Sequence, residues 1–351
     1  MKKILWLILC MALLLCGCTW MDGEYHSVKP HASDGNKLSD DVVTVSDYVQ
    51  LRDALEEMVT SGKQKSTFYI SGFGLEEIDQ YMSMAEMYVL QNSAIGAYAV
   101  DEITYESGTS GGFAAVAVEV AYIHSRQEIL RIKTVANTES AKSLVATALR
   151  NYETSTVIKV KEYKNLDMEN YVREYVRDNP HLCMELPQVS ATTYPKTGDE
   201  RVLEIFFTYQ NSRETLKSMQ EMVNPIFSAA KIYVQSSDSA SQKYEQLYAF
   251  LMERFDYKIE TSITPVYSLL RYGVGDSKAM AMVYSIMCQN ADLECQVVSG
   301  TKNGEAYYWN KIRYDDTEYH VDLLGSSEAG EFVVMIPDEM TGYVWDYSSY
   351  T

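Results

Sequence analysis

The sequence predicts an α+β protein, with tandem α/β repeat units followed by a C-terminal α+β domain. Three observations carry that expectation. An order of helix, strand, helix and hairpin occurs twice between residues 44 and 235. Each hairpin runs into a similar phrase, Tyr122-Ile123-His124-Ser125-Arg126 in one unit and Tyr209-Gln210-Asn211-Ser212-Arg213 in the other. From Ser239 the pattern changes to apolar residues at helical spacing and then to short strands. A chain of 351 residues that is 46% hydrophobic can bury a sizeable core in two to three domains, which excludes wholesale disorder.

The first residues read as an address. Lys2 and Lys3 precede an apolar run from Ile4 to Leu15, too short for a membrane span and flanked as a signal peptide is. Leu15-Cys16-Gly17-Cys18 resembles a bacterial lipobox, so residues 1–17 are expected to be a lipoprotein signal peptide and Cys18 the lipidated residue. A plain secretory signal or an uncleaved anchor is the alternative. The expected location is the outer face of the bacterial cell membrane, with an N-terminal lipid anchor of more than one acyl chain. Residues 18–43 are polar and aperiodic and read as a flexible tether, holding the body roughly 25 to 30 Å from the anchor. A formal charge of -19 repels nucleic acid and anionic headgroups, so no nucleic-acid partner is expected.

The first repeat unit spans residues 44–135. Its expected elements are a helix at Tyr48 to Thr60, a strand at Thr67 to Ser71, a helix at Leu75 to Leu90, and strands at Ala94 to Glu106 and Phe113 to Ile123. The glycines between those last two strands suit a hairpin turn. The second unit, residues 136–235, repeats the order with a helix at Ser143 to Tyr152, a strand at Thr156 to Lys161 and a helix at Asp167 to Arg177. Its hairpin runs from Leu182 to Tyr194 and from Arg201 to Tyr209. Ser125 and Ser212 suit helix caps, and Glu128 completes a capping box with Ser125. The Ser-Arg pairs therefore read as strand-to-helix joints rather than as ligand-binding residues.

Residues 236–351 form the third region. Tyr244, Leu247, Tyr248, Leu251, Met252 and Phe255 line one face of a helix ending in Phe255-Asp256-Tyr257. There follow Gly273-Val274-Gly275-Asp276-Ser277-Lys278-Ala279, then Val297-Val298-Ser299-Gly300, Tyr307-Tyr308-Trp309-Asn310 and Tyr319-His320-Val321-Asp322. This order resembles the core of bacterial transglutaminase-like proteins, which have a papain-like fold, over about residues 237 to 324. The resemblance implies a cysteine nucleophile at a helix start, a histidine base on the Trp-Asn strand and an aspartate on the next. Those positions fall on Gly275, Tyr307 and Asp322. The tail segments Phe332 to Ile336 and Tyr343 to Asp346 match nothing in that pattern.

A thiol at the first turn of a helix is acidified by the helix dipole, and an adjacent imidazole takes its proton. Glycine offers no nucleophile, and tyrosine, with a reference pKa near 10, is a poor base at neutral pH. Shifting the register brings Asp276 or Ser277 to the nucleophile position, and Cys288 lies turns away. A catalytically inactive domain is the leading expectation. It implies a cleft for peptide, protein or cell-wall material lined by Asp276, Ser277, Tyr307, Tyr308, Trp309 and Asp322, or a surface scaffold. With both groups restored, as Gly275→Cys with Tyr307→His, a cysteine of depressed pKa is expected, since the helix N-terminus and Asp322 are already in place. The rival is a hydrolase or acyltransferase using Ser277, or Asp276 with Asp322 as paired carboxylates. His320 shares a strand face with Asp322, which keeps a base role for it open.

No metal-ligand spacing, Gly-rich phosphate loop, His-Glu-x-x-His or Gly-x-Ser-x-Gly occurs, so no metal or cofactor is expected. After Cys18 only Cys183, Cys288 and Cys295 remain. A bridge from Cys288 to Cys295 is one reading; small buried apolar groups is the favoured one.

Overall fold

Asp47 opens the first helix of the computed structural model, which describes residues 43–253 and 258–346. Its carboxylate accepts from the Gln50 N–H, and α1 (Tyr48–Thr60) then buries Leu51, Leu55, Met58 and Val59 on one face. With α2 (Leu75–Gln91) it belongs to a unit built on the sheet β1 (Val43–Val45), β2 (Lys65–Ile70), β3 (Val100–Ser110) and β4 (Phe113–Tyr122), in the order β1-β2-β4-β3. The described residues from Thr44 onward form one compact unit. The expected signal peptide, Cys18 and most of the tether lie outside the described residues, as do Phe255 to Tyr257.

A second sheet repeats the first. It is built from β5 (Lys133–Asn137), β6 (Ser155–Glu162), β7 (Gln188–Tyr194) and β8 (Arg201–Thr208) in the order β5-β6-β8-β7. Its helices α5 (Thr138–Arg150) and α6 (Met168–Asp178) occupy the same places in the chain order as α1 and α2. Strand β5 straddles the expected junction at residues 135 and 136 and pairs in parallel with β6.

Three expected elements need correction. Ala94 to Glu106 is not one strand: α3 (Ala94–Ala99) precedes β3, because the Ser93 hydroxyl accepts from the Gly96 N–H and starts a helix. The helix expected from Ser143 begins at Thr138, where Asn137 caps it through the Ser140 N–H. Residues 182–187 are not strand; Cys183, Met184 and Glu185 are buried in the loop before β7.

Both Ser-Arg phrases are helix starts. Ser125 and Glu128 form a reciprocal capping box at α4 (Arg126–Arg131), and the Ser212 hydroxyl accepts from the Thr215 N–H to start α7 (Arg213–Tyr233). The second phrase is also clamped from outside. Glu185, only 2% exposed, accepts from the backbone N–H groups of Gln210 and Asn211 and from the Asn211 side chain.

The third region has α8 (Ala240–Glu253), α9 (Pro265–Tyr272), α10 (Ser277–Asn290), β9 (Cys295–Lys302), β10 (Glu305–Tyr314), β11 (Thr317–Val321), α11 (Leu323–Ala329) and β12 (Tyr343–Trp345). Its antiparallel sheet runs β11-β10-β9-β12, which places the tail segment at 343–345 as an edge strand. Helix α10 lies on one face of that sheet. Its buried Met280, Met282, Val283 and Ile286 pack into one core with α7, α8 and α9. Tyr244 donates to the Glu294 and Arg313 carbonyls, and Tyr284 donates to the Tyr244 carbonyl. These tyrosines tie helices to the sheet from inside. Cys183, Cys288 and Cys295 are free and buried.

Candidate functional site

The hairpin Asn303-Gly304 fixes what the sheet presents. Both residues have positive φ, 55° and 86°, the backbone of a tight two-residue turn. The turn sets Lys302 opposite Glu305, Tyr307 opposite Gly300 and Trp309 opposite Val298. On the other side of β10, Asn310 pairs with Val321 and Lys311 with His320. Alternation then sends Tyr307, Trp309, Lys311 and His320 to one face and Tyr308, Asn310 and Ile312 to the other, against α10. The expected cleft residues are thereby divided between two faces.

On the first face the Asp322 carboxylate is a hub. Lys302 Nζ and the Tyr343 hydroxyl each reach Oδ2 at 2.6 Å. The Tyr307 hydroxyl donates to Oδ1 at 2.9 Å, and the Gly325 N–H donates to it at 3.0 Å as Asp322 caps α11. Burial acts to raise the Asp322 pKa, but the donors from Lys302, Tyr343, Gly325 and Tyr307 outweigh it and hold the carboxyl below its ordinary value. Burial, then the Asp322 charge, push the Tyr307 phenol far above its ordinary value, and burial pushes Tyr343 up to about 12. Tyr307 is thus a neutral donor.

Trp309 is wholly buried and presents no surface to a cleft. Its indole N–H donates to His320 Nδ1 at 2.9 Å. Gly300 makes room for it: a Cβ there would lie 2.6 Å from the Trp309 ring and 2.3 Å from the Val344 carbonyl. His320 is 2% exposed, and burial, aided by the Lys311 charge, lowers its pKa to about 4. With Nδ1 engaged by an indole, His320 is a structural imidazole.

Gly275 stands where the resemblance puts the nucleophile, and it precedes the helix rather than opening it. Gly273, at φ 66°, ends α9 in the left-handed region. Gly275 then donates to the Lys258 carbonyl and accepts from Glu260, and Asp276 is the N-cap of α10. Its φ is not positive, so here glycine provides space. A Cβ would meet Leu269 Cδ1 at 2.8 Å and Ala279 Cβ at 2.9 Å. Gly275 therefore lies one residue before the N-cap, outside the first turn that the resemblance implies for the nucleophile.

The residues of the rival reading are engaged as well. Asp276 Oδ1 accepts from the Ala279 N–H and Oδ2 from the Thr261 hydroxyl. The Ser277 hydroxyl accepts from the Tyr308 N–H at 3.3 Å and makes no hydrogen bond to an imidazole or carboxylate among the described residues. Ser277, Tyr308, Asn310 and Asp322 border a seam too tight for a water molecule. Among the described residues no group of three or more His, Cys, Asp or Glu side chains could hold a metal, and no helix is long and apolar enough to cross a membrane. Lys302 and Tyr343 were not legible as site residues from motif order. The Asn303-Gly304 turn was the signal for Lys302, since it sets the register that brings Lys302 to the face of Tyr307.

Residues 228–323 match the model of the transglutaminase-like superfamily, so the chain carries a transglutaminase-like domain beginning in the last turns of α7. No curated protein matches the chain. A crystal structure of a TGase is similar at 8% identity over 74% of this chain and 79% of that one, with a TM-score of 0.27. A candidate protease from Parabacteroides distasonis is similar at 9% identity over 73% of this chain and 40% of that one, with a TM-score of 0.24.

Proposed function

We propose that this chain is a cell-envelope lipoprotein whose transglutaminase-like domain binds peptide or cell-wall material, or serves as a surface scaffold, without processing it. One observation carries the reading: the nucleophile position is Gly275, and the space a side chain would need there is filled by Leu269 and Ala279. The base position supports it, since Tyr307 is a neutral phenol held by Asp322. Losing the nucleophile of a group that acts as a unit removes on the order of 10⁶ in rate. The test is to incubate the purified chain with cell-wall fragments and peptides and to score binding and turnover separately. Retention of either material with no release or transfer of amine above background fits the proposal. Turnover abolished by Ser277→Ala or Asp322→Ala would overturn it and establish the hydrolase.

A further inference from the structure

A cavity of about 440 Å³ opens between the second repeat unit and the transglutaminase-like domain, beside the closed seam rather than over it. That volume lies in the range of small-molecule sites. Its lining is mixed, and Cys183, Met184 and Met282, all buried, form its apolar part. At its border stand two of the chain's exposed large aliphatic residues, Leu186 at 40% and Ile263 at 49%. Exposed aliphatic surface beside the buried apolar part of a cavity costs free energy in water and is relieved when an apolar body covers it.

Lys278 supplies the polar point. It occupies the second position of α10, where the helix dipole disfavours a cation, so local helix stability does not explain it. It is half-buried, and its ammonium lies 5.6 Å from the Tyr308 ring centroid. It makes no hydrogen bond or ion pair to any described residue. Other charges at the border are already engaged: Arg173 with Glu169, Arg177 with Asp178, Glu174 with Asn170, and Glu185 with the backbone of Gln210 and Asn211. Asp346 also has a partner. A half-buried ammonium beside a cavity with exposed aliphatic side chains is satisfied by an anion that brings its own apolar surface.

We propose that this cavity binds an apolar carboxylate, its anionic group on Lys278 Nζ and its body between Leu186 and Ile263 over Met282. Two sources share that chemistry, a fatty carboxylate and the free C-terminus of an apolar peptide. The site uses neither Gly275 nor Tyr307, so it stands or falls separately from the absence of turnover.

Calorimetry on the full chain without its signal peptide tests it, with decanoate against decanol and an apolar tripeptide acid against its C-terminal amide. At least one acid should bind, and its neutral counterpart should bind at least tenfold more weakly. Lys278→Gln should weaken the acid about ten- to hundredfold, the scale of a hydrogen bond to a charged group. Ile263→Trp should block the mouth and, being at an exposed position, leave the melting temperature unchanged. Which acid binds identifies the source. Equal binding of acid and neutral forms, acid binding unaltered in Lys278→Gln or in a folded Ile263→Trp, or no binding of either acid at millimolar concentration overturns the proposal.

Discussion

Tyr307 donates its hydroxyl proton to Asp322 Oδ1 at 2.9 Å, joining the two positions on which the resemblance places a base and its orienting acid. The pair keeps the geometry of an orienting contact and turns it to structure. Lys302, Tyr343 and the Gly325 N–H complete four donors to one carboxylate, which leaves it no free acceptor position. Hairpin, edge strand and α11 all meet at that side chain.

Removing the hub should therefore cost stability. Asp322→Ala leaves a partly buried ammonium and two phenols without their acceptor, and a loss of about 3 kcal/mol is expected for a broken buried pair. Lys302→Met, which leaves Asp322 three donors, should cost less. Because the folded pKa of Asp322 is depressed, its contribution is fully present above its unfolded value near 4 and is lost as pH falls through the folded value. Urea unfolding of both variants between pH 7 and 3 checks the order. Equal stability of Asp322→Ala and the parent chain would remove the hub from the account.

His320 gives a second, separable pH dependence. Its folded pKa is lowered to about 4, whereas an unfolded histidine titrates near 6.5. Between those values the unfolded chain binds the extra proton, so stability falls as pH drops through that window, by about 3 kcal/mol in all. Protonating Nδ1 also breaks the bond from Trp309. The variant His320→Gln retains an acceptor for the indole and should flatten the curve between pH 6.5 and 4. A slope there matching the parent's would show that another group titrates.

The sequence carries Tyr48–Thr60 to the residue, because Asp47 and the spacing of Leu51, Leu55 and Met58 agree. It misleads at Ala94, where an unbroken apolar run fits a buried strand as well as a helix and only the Ser93 cap separates them. Strand β5 is short and largely exposed, so it carries no alternation to read. In the site, motif order locates Gly275, Tyr307 and Asp322. That Tyr307 and Tyr308 face opposite ways follows from strand period. The meeting of Tyr343 with Asp322 does not, since the register of an edge strand is set by tertiary packing.

Anchoring is tested at the other end of the chain. If Cys18 is the lipidated residue, Cys18→Ala should release the protein from the membrane fraction or block its processing, and Cys16→Ala should do neither. Membrane pelleting and the mobility of the processed form read both. Unchanged retention and processing in Cys18→Ala sinks the lipoprotein assignment.

Gly275 supplies the last prediction. A Cβ at 2.8 Å from Leu269 and 2.9 Å from Ala279 forces at least one neighbour to move, so Gly275→Ala and Gly275→Cys should each lose about 1–3 kcal/mol in thermal denaturation, the usual cost of overpacking. The thiol of Gly275→Cys would lie before the N-cap, next to the Asp276 carboxylate, where a thiolate is opposed by like charge and is not held in the first turn. Its alkylation by iodoacetamide at pH 6 should be no faster than that of an ordinary thiol. The double variant Gly275→Cys with Tyr307→His should give no transamidation or peptide hydrolysis, because catalytic alignment tolerates errors of only about 1 Å. Turnover by that double variant, with rapid alkylation at pH 6, would mean that α9 and α10 yield readily around position 275 and that two substitutions separate this domain from an active thiol enzyme.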